Sequence, residues 1–405
     1  MIYFHRHIEH VLSQMLSQFK VVLVTGPRQV GKSTMIRHTL PEYEYVALDD
    51  MVELSLAKTD PGLFFKNHQL PMIIDEVQYA PELFRQIKYI CDRSEKTGQI
   101  CLTGSQTYQL MQNVSESLAG RIGILEMQGM SVRELYDIPF YESFVPSETY
   151  IAQRKAYLKP IGNVWHHIFR GSMPALCDPS VNSVMFYRSY VQSYIERDIR
   201  TLLNIKDIHV FYAFMVALAS RTGMLFNAQD IANTVDVTIK TVQNWISLLE
   251  ASGIIFFLRP YENNILKRTI KKNKIYFYDT GLVCYLVGWE NETVARNGAM
   301  SGALFETYMI SEIAKSYLNC GKETRSMFFY RDRNQKEIDL LILQSDQLYP
   351  LEIKSTTHPR LEMAKNFSVL KETELVHVQT GTILCQIERD YVLSDRLQAL
   401  PVAFL

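Results

Sequence analysis

Short apolar runs followed by amphipathic stretches alternate from about residue 20 to Glu126, the pattern of a parallel sheet with helices on both faces. Three of these runs read as buried strands: Val21-Val22-Leu23-Val24, Pro71-Met72-Ile73-Ile74-Asp75-Glu76 and Gln99-Ile100-Cys101-Leu102-Thr103-Gly104-Ser105. The period then changes. From Trp165 to Ser220 apolar positions such as Val191, Tyr194, Ile195, Ile199, Leu202 and Leu203 recur at helical steps, predicting a helical lid. Asn227 to Gly253 reads as two short helices separated by a turn near Asp236, with Ile231, Ala232, Val237, Val242, Ile246, Leu248 and Leu249 facing a core. Ile254 to Leu258 then predicts a strand entering a wing. In the last third, Lys336–Ile342 and Leu348–Ser355 alternate as two strands of a hairpin turning at Gln344-Ser345-Asp346. The stretch beginning Gly302-Ala303-Leu304-Phe305-Glu306 predicts a helix with apolar steps at Met309, Ile310, Ile313 and Ala314.

The chemistry is densest where the first strand ends. Gly26-Pro27-Arg28-Gln29-Val30-Gly31-Lys32-Ser33-Thr34 fills every required position of the phosphate-binding loop G-x-x-x-x-G-K-[ST]. Its glycines let successive backbone N–H groups point into one concavity, Lys32 can reach the β/γ-phosphates, and Ser33 offers a hydroxyl to Mg²⁺. Asp75, at the end of the second strand, takes the Walker B role of holding Mg²⁺. Glu76 beside it can orient and deprotonate the attacking water, which favours a hydrolase over a kinase. Ser105, or less readily Thr103, stands where a hydroxyl could sense the γ-phosphate. Arg121 in Ser117-Leu118-Ala119-Gly120-Arg121 could stabilise transition-state charge on a neighbouring subunit's nucleotide, or be an ordinary paired surface arginine. Arg170 and the pair Arg197-Asp198 are weaker candidates for sensing phosphate from the lid.

Composition narrows the class. The chain has 405 residues, room for two to four domains, with 47% hydrophobic and 21% charged residues, as in ordinary globular proteins. Its apolar stretches break off well short of the roughly 18 residues that span a bilayer, and the start of the chain has no signal-peptide core, so a cytoplasmic location and no membrane are expected. Six scattered cysteines, Cys91, Cys101, Cys177, Cys284, Cys320 and Cys385, argue against disulfides and structural zinc. A net charge of −1 leaves nucleic-acid binding to a local patch. The clearest one spans residues 259–274, where Lys267, Arg268, Lys271, Lys272 and Lys274 follow Arg259 against the single acid Glu262. Thr238, Lys240, Thr241, Gln243 and Asn244 would start the second helix of the helix pair, where base edges are read. Protein docking is the competing use of such a winged helix.

On the hairpin, Asp339 and Glu352 fall on one face with Lys354, and Glu306 on the preceding helix could add a third carboxylate. Two or three carboxylates can hold Mg²⁺ or Mn²⁺, and a lysine beside them can position a water for phosphodiester attack.

The segments GPRQVGKST, MIIDE, LTGSQ and SESLAGR, followed by FE, EIDLLI and LEIKS, resemble a widespread prokaryotic family of AAA-type ATPases whose C-terminal domain is similar to PD-(D/E)xK nucleases. The likeness is strong over residues 20 to 135 and looser over 150 to 220. It implies an α/β chain: a parallel-sheet P-loop core of the ASCE type over 1–135, a helical lid over 136–220, a winged helix over 221–280 and a nuclease-like α/β domain over 281–405. It implies ATP and Mg²⁺ as cofactors, with Lys32, Ser33, Asp75 and Glu76 as the ATP machinery. Glu306, Asp339, Glu352 and Lys354 become the nuclease-like quartet, with Ile338 standing where the motif has proline. No N-K-x-D guanine-reading motif is present. Two classes follow: an ATP-driven enzyme that grips and cuts DNA, or an ATP-dependent switch, self-associating or partnered, whose C-terminal domain only binds DNA or protein.

Overall fold

The computed structural model describes residues 3–104, 118–195, 208–262, 272–373 and 376–405, with the side chains of 194 and 195 excepted. The chain divides into two compact units. The first comprises Met1–Met130 with Ala251–Gly253 and Leu318–Gly321.

Among the described residues five strands build the first unit's sheet: β1 (Val21–Thr25), β2 (Glu44–Ala47), β3 (Met72–Asp75), β4 (Ile100–Gly104) and β5 (Ile122–Glu126). Every pairing is parallel, in the order β2-β3-β4-β1-β5. Strands β1, β3 and β4 are buried at every position, which is why they read as continuous apolar runs rather than alternating ones. One strand, β4, separates the strand that carries Asp75 from the strand that carries the phosphate loop, the arrangement the resemblance implies. The helix Leu83–Arg93 turns Leu83, Phe84, Ile87 and Cys91 onto one stripe, and these pack with Val21, Leu23, Ile74 and Leu102 in a core cluster.

The second unit holds Ser131–Glu250, Ile254–Tyr317 and Lys322–Leu405. Its first part is helical, with Glu148–Lys155, Val164–Arg170, Ser183–Tyr190 and Ile208–Ala219. Helices Ala228–Val235 and Ile239–Ala251 follow, and Asp236 makes the turn between them with φ +54°, a left-handed conformation that Asp tolerates. Ile231, Ala232, Val242, Ile246, Leu248 and Leu249 are all buried.

The remaining strands are β6 (Ile255–Pro260), β7 (Lys274–Phe277), β8 (Met327–Arg331), β9 (Glu337–Gln344), β10 (Gln347–Lys354), β11 (His377–Val378), β12 (Gly381–Cys385), β13 (Tyr391–Ser394) and β14 (Leu397–Pro401). They form one sheet in the order β13-β14-β12-β10-β9-β8-β6-β7, with β11 pairing β10. The hairpin of β6 and β7, which the sequence reads as a wing, joins that sheet because Arg259 and Pro260 pair in parallel with Phe328 and Phe329 of β8. Among the described residues no helix is long and apolar enough to cross a membrane.

Candidate functional site

The phosphate loop leaves β1 through two unusual backbone conformations. Gly26 has φ +143°, and a Cβ placed there would meet the Met127 carbonyl oxygen at 2.0 Å. Only glycine fits. Gly31, at φ +92°, precedes the helix Lys32–Thr39, whose first residue lies where the sequence expects it. Lys32 is buried, and its Nζ donates to the carbonyls of Gly26 (2.9 Å) and Pro27 (2.8 Å), so the ammonium spans the loop. Burial pushes its pKa down to about 8, and the nearby Glu76 and Asp75 oppose the shift. Arg28 donates to Tyr79 Oη at 3.3 Å, while Val30 is buried and Gln29 and Thr34 are exposed.

Arg6 braces the same loop. It is buried, and its guanidinium donates to the carbonyls of Val30 (2.8 Å), Gln128 (2.7 Å) and Gly129 (3.2 Å), joining the loop to the chain leaving β5. No local motif marks Arg6; only the fold brings its partners together.

Asp75 is the hub of the site. Ser33 Oγ donates to its Oδ1 at 2.8 Å, Thr103 Oγ1 donates to the same oxygen, and Tyr45 Oη donates to Oδ2 at 2.6 Å. Burial, then the hydrogen bond to Asp75, raises the Tyr45 phenol well above its usual range. Glu76 follows in the left-handed region, φ +57°, and its N–H donates to Thr103 Oγ1 at 3.0 Å while Gln78 Nε2 donates to its carboxylate. A bulky non-glycine residue held there is costly and characteristic of functional positions. One threonine hydroxyl thus fixes both carboxylate residues. Tyr45, Gln78 and Arg6 escape a reading of the sequence; Tyr45 becomes visible only once β2 is known to pair with β3, placing Ala47 opposite Asp75. The hard oxygens of Ser33 and Asp75 suit Mg²⁺.

Ser105 lies outside the described residues, as do Ser117 and the pair Arg197-Asp198. Arg121 stands just before β5, at the end of the sheet opposite the phosphate loop; its Nε pairs with Asp92 at 2.6 Å and its Nη1 donates to the Ala119 carbonyl. It does not serve the loop of its own chain. Arg170 donates to the carbonyls of Leu176, Asp178 and Val181, a loop-bracing role in place of the expected phosphate sensing.

The C-terminal carboxylates come together, but each already has a cation. Lys354 Nζ lies 2.9 Å from Asp339 Oδ2 and 2.6 Å from Glu352 Oε2, and Asp339 also accepts from the Ile353 N–H at 2.8 Å. Glu352 Oε1 is buried without a hydrogen-bond partner. Burial, then Asp339, pushes the Glu352 carboxyl up to about 8, and the same causes push Glu306 up to about 6. Glu306 Oε1 accepts from Lys274 Nζ (3.0 Å) and Tyr276 Oη (2.6 Å). Among the described residues no three His, Cys, Asp or Glu side chains are gathered to hold a metal ion. Asp339 is close enough to raise both Glu306 and Glu352, and the three expected ligands stand here with Lys354 pairing Asp339 and Glu352 and Lys274 pairing Glu306. Lys274 also leaves the basic stripe: it is buried, not turned to solvent. Lys272 is exposed, and Lys267, Arg268 and Lys271 lie outside the described residues.

Comparison with known proteins agrees with the first unit's geometry. Residues 18–136 match the family model described as AAA domain, while residues 161–293 and 301–405 match models described as Domain of unknown function (DUF8612) and Domain of unknown function (DUF4143). An uncharacterized protein of Mycobacterium tuberculosis is 28% identical over 396 residues, 96% of this chain and 82% of that protein. An uncharacterized protein of Methanocaldococcus jannaschii is 21% identical over 400 residues, 90% of this chain and 80% of that one. Among solved structures, the Walker-type ATPase of Pyrococcus abyssi is similar with a TM-score of 0.43 and 17% identity, covering 70% of this chain and 96% of its own. The matched model, together with the loop and the parallel sheet that carries it, makes residues 18–136 similar to an AAA-type P-loop ATPase domain.

Proposed function

We propose that the protein binds and hydrolyses ATP and uses the cycle as a switch acting through its second unit on DNA or a protein partner. The observation that carries the ATPase reading is the preformed chain Ser33–Asp75–Thr103–Glu76, a metal-binding pair locked to a candidate base by one hydroxyl. Phosphates entering the loop would take over the Lys32 ammonium from the Gly26 and Pro27 carbonyls, an exchange of neutral acceptors for charged ones. Ser33 and Asp75 would hold Mg²⁺, which when bound would neutralise charge on the phosphates. Glu76, tethered by Gln78 and by its own N–H, would orient the attacking water and accept its proton. Arg121, partly exposed and remote from its own loop, could reach only another copy's nucleotide.

The switch reading for the second unit rests on two supports. The helix pair around Asp236 followed by the β6–β7 hairpin is consistent with a winged helix, and Thr238, Lys240, Gln243 and Asn244 are exposed on it. The helix Ser301–Leu318, the antiparallel run β8-β9-β10 and the parallel pairing of β10 with β12 are consistent with a nuclease-like core. Lys274, a cation outside the nuclease-like quartet, pairs Glu306 and Glu337 and favours binding over cutting. The test of the ATPase reading is a pair of variants. Lys32→Ala should lose nucleotide binding, whereas Glu76→Gln should keep it and turn over about a hundredfold or more slowly, the scale of general-base help. A Glu76→Gln protein as fast as the parent would remove Glu76 from the reaction.

A further inference from the structure

Lys274 opens β7 and is buried, with its side chain 3% exposed, an unusual place for a residue whose charge normally keeps it in water. Its Nζ lies 3.0 Å from Glu306 Oε1 and 2.5 Å from Glu337 Oε1, and it feels the charge of Asp339 as well. The three acids come from different places: Glu306 from the helix Ser301–Leu318, Glu337 and Asp339 from β9. A buried ammonium is tolerated only where carboxylates compensate its desolvation, and this one has several. Lys354 on β10, partly exposed, pairs with Asp339 and Glu352. Arg331 on β8 closes the row by reaching Glu337 Oε2 at 3.1 Å.

We propose that Lys274 is a built-in cation that stands in for a divalent metal between Glu306 and Glu337, beside Asp339. A divalent ion needs carboxylate oxygens free to converge on one point. Here Glu306 is turned to Lys274 and Tyr276, and Asp339 to Lys354 and the Ile353 N–H. The cation is supplied by the strand that follows the basic stripe, so the residue the sequence offers to phosphates is spent inside the fold. This deepens the binding-only reading of the second unit and is independent of whether the first unit hydrolyses ATP.

The test is thermal unfolding of the full chain with and without Mn²⁺, in the absence of nucleotide so that Ser33 and Asp75 recruit none. The parent protein and Asp339→Asn should respond to Mn²⁺ identically. Lys274→Met should acquire a stabilisation that grows with the logarithm of Mn²⁺ concentration, and Asp339→Asn in that background should abolish it. The proposal is overturned if the parent is itself stabilised by Mn²⁺ and Asp339→Asn removes the effect, or if folded Lys274→Met gains no Mn²⁺ response. Should Lys274→Met not fold, the comparison of parent with Asp339→Asn decides alone. Unchanged ATP turnover in Asp339→Asn would show that the first unit's reading stands whichever way the metal experiment falls.

Discussion

Replacing Thr103 by Val changes almost no volume and removes one hydroxyl, so it isolates what that hydroxyl does. In the fold Thr103 is fully buried; it donates to Asp75 Oδ1 and accepts from the Glu76 N–H at 3.0 Å. The substitution leaves a buried N–H without its acceptor, costing about 1–3 kcal/mol, and takes one charge-assisted hydrogen bond from Asp75, worth about 1.5–3 kcal/mol. The two losses share one site and are not additive, and Ser33 and Tyr45 still donate to Asp75, so a net loss of roughly 2–4 kcal/mol is expected. For a unit of this size that lowers the melting temperature by roughly 5–12 °C. The catalytic consequence is separable: with Glu76 no longer tied to the Asp75 hub, kcat should fall by about ten- to a hundredfold while the KM for ATP changes little, because Lys32 and the loop amides are untouched. Thr103→Ser should restore most of both. Steady-state ATPase assays alongside thermal melts read the two effects. A Thr103→Val protein with the parent's melting temperature and kcat would refute the reasoning, since the hydroxyl would then organise nothing.

Gly26→Ala should abolish ATP binding, because the new Cβ meets the Met127 carbonyl oxygen at 2.0 Å and φ +143° excludes an L side chain; equilibrium dialysis with labelled nucleotide checks it, and parent-like affinity would contradict it. Lys32 yields a pH signature. Its folded pKa, down to about 8 from 10.5, lies below the unfolded value, so the unfolded chain binds more protons between those limits and this group makes the nucleotide-free protein gain stability as pH rises from 8 to 10.5. Phosphates restore the ammonium, so ATP binding above pH 8 should take up protons, seen as buffer-dependent heats in calorimetry; heats independent of buffer at pH 9 would count against it. If the basic stripe binds duplex DNA, reversing charge at Lys271 and Lys272 should flatten the salt dependence of binding, by about 0.9 in log–log slope for each phosphate no longer neutralised. An unchanged slope would assign the helix pair to protein docking.

The sequence by itself determined the phosphate loop, its strand and its helix, because a glycine-rich turn between a buried apolar run and a helix start is local chemistry written in nine consecutive residues. It also determined the β9–β10 hairpin and the shared face of Asp339, Glu352 and Lys354, since a period of two fixes which side chains meet once a turn is placed. The turn at Asp236 was legible because the helical spacing of apolar positions breaks there. Only the tertiary structure decided the rest. Arg6 ties the loop at Val30 to Gln128, more than a hundred residues further along the chain, and Tyr45 reaches Asp75 only because β2 lies against β3. Lys274 looked like one more member of a basic run; the pairing of β6 with β8 draws β7 into the large sheet, and a lysine there is buried against Glu306 and Glu337. Charge along a chain is read from neighbours in sequence, whereas whether a charge is solvated or spent depends on which strands share a sheet, and that is settled by the burial of apolar faces far from the charge itself.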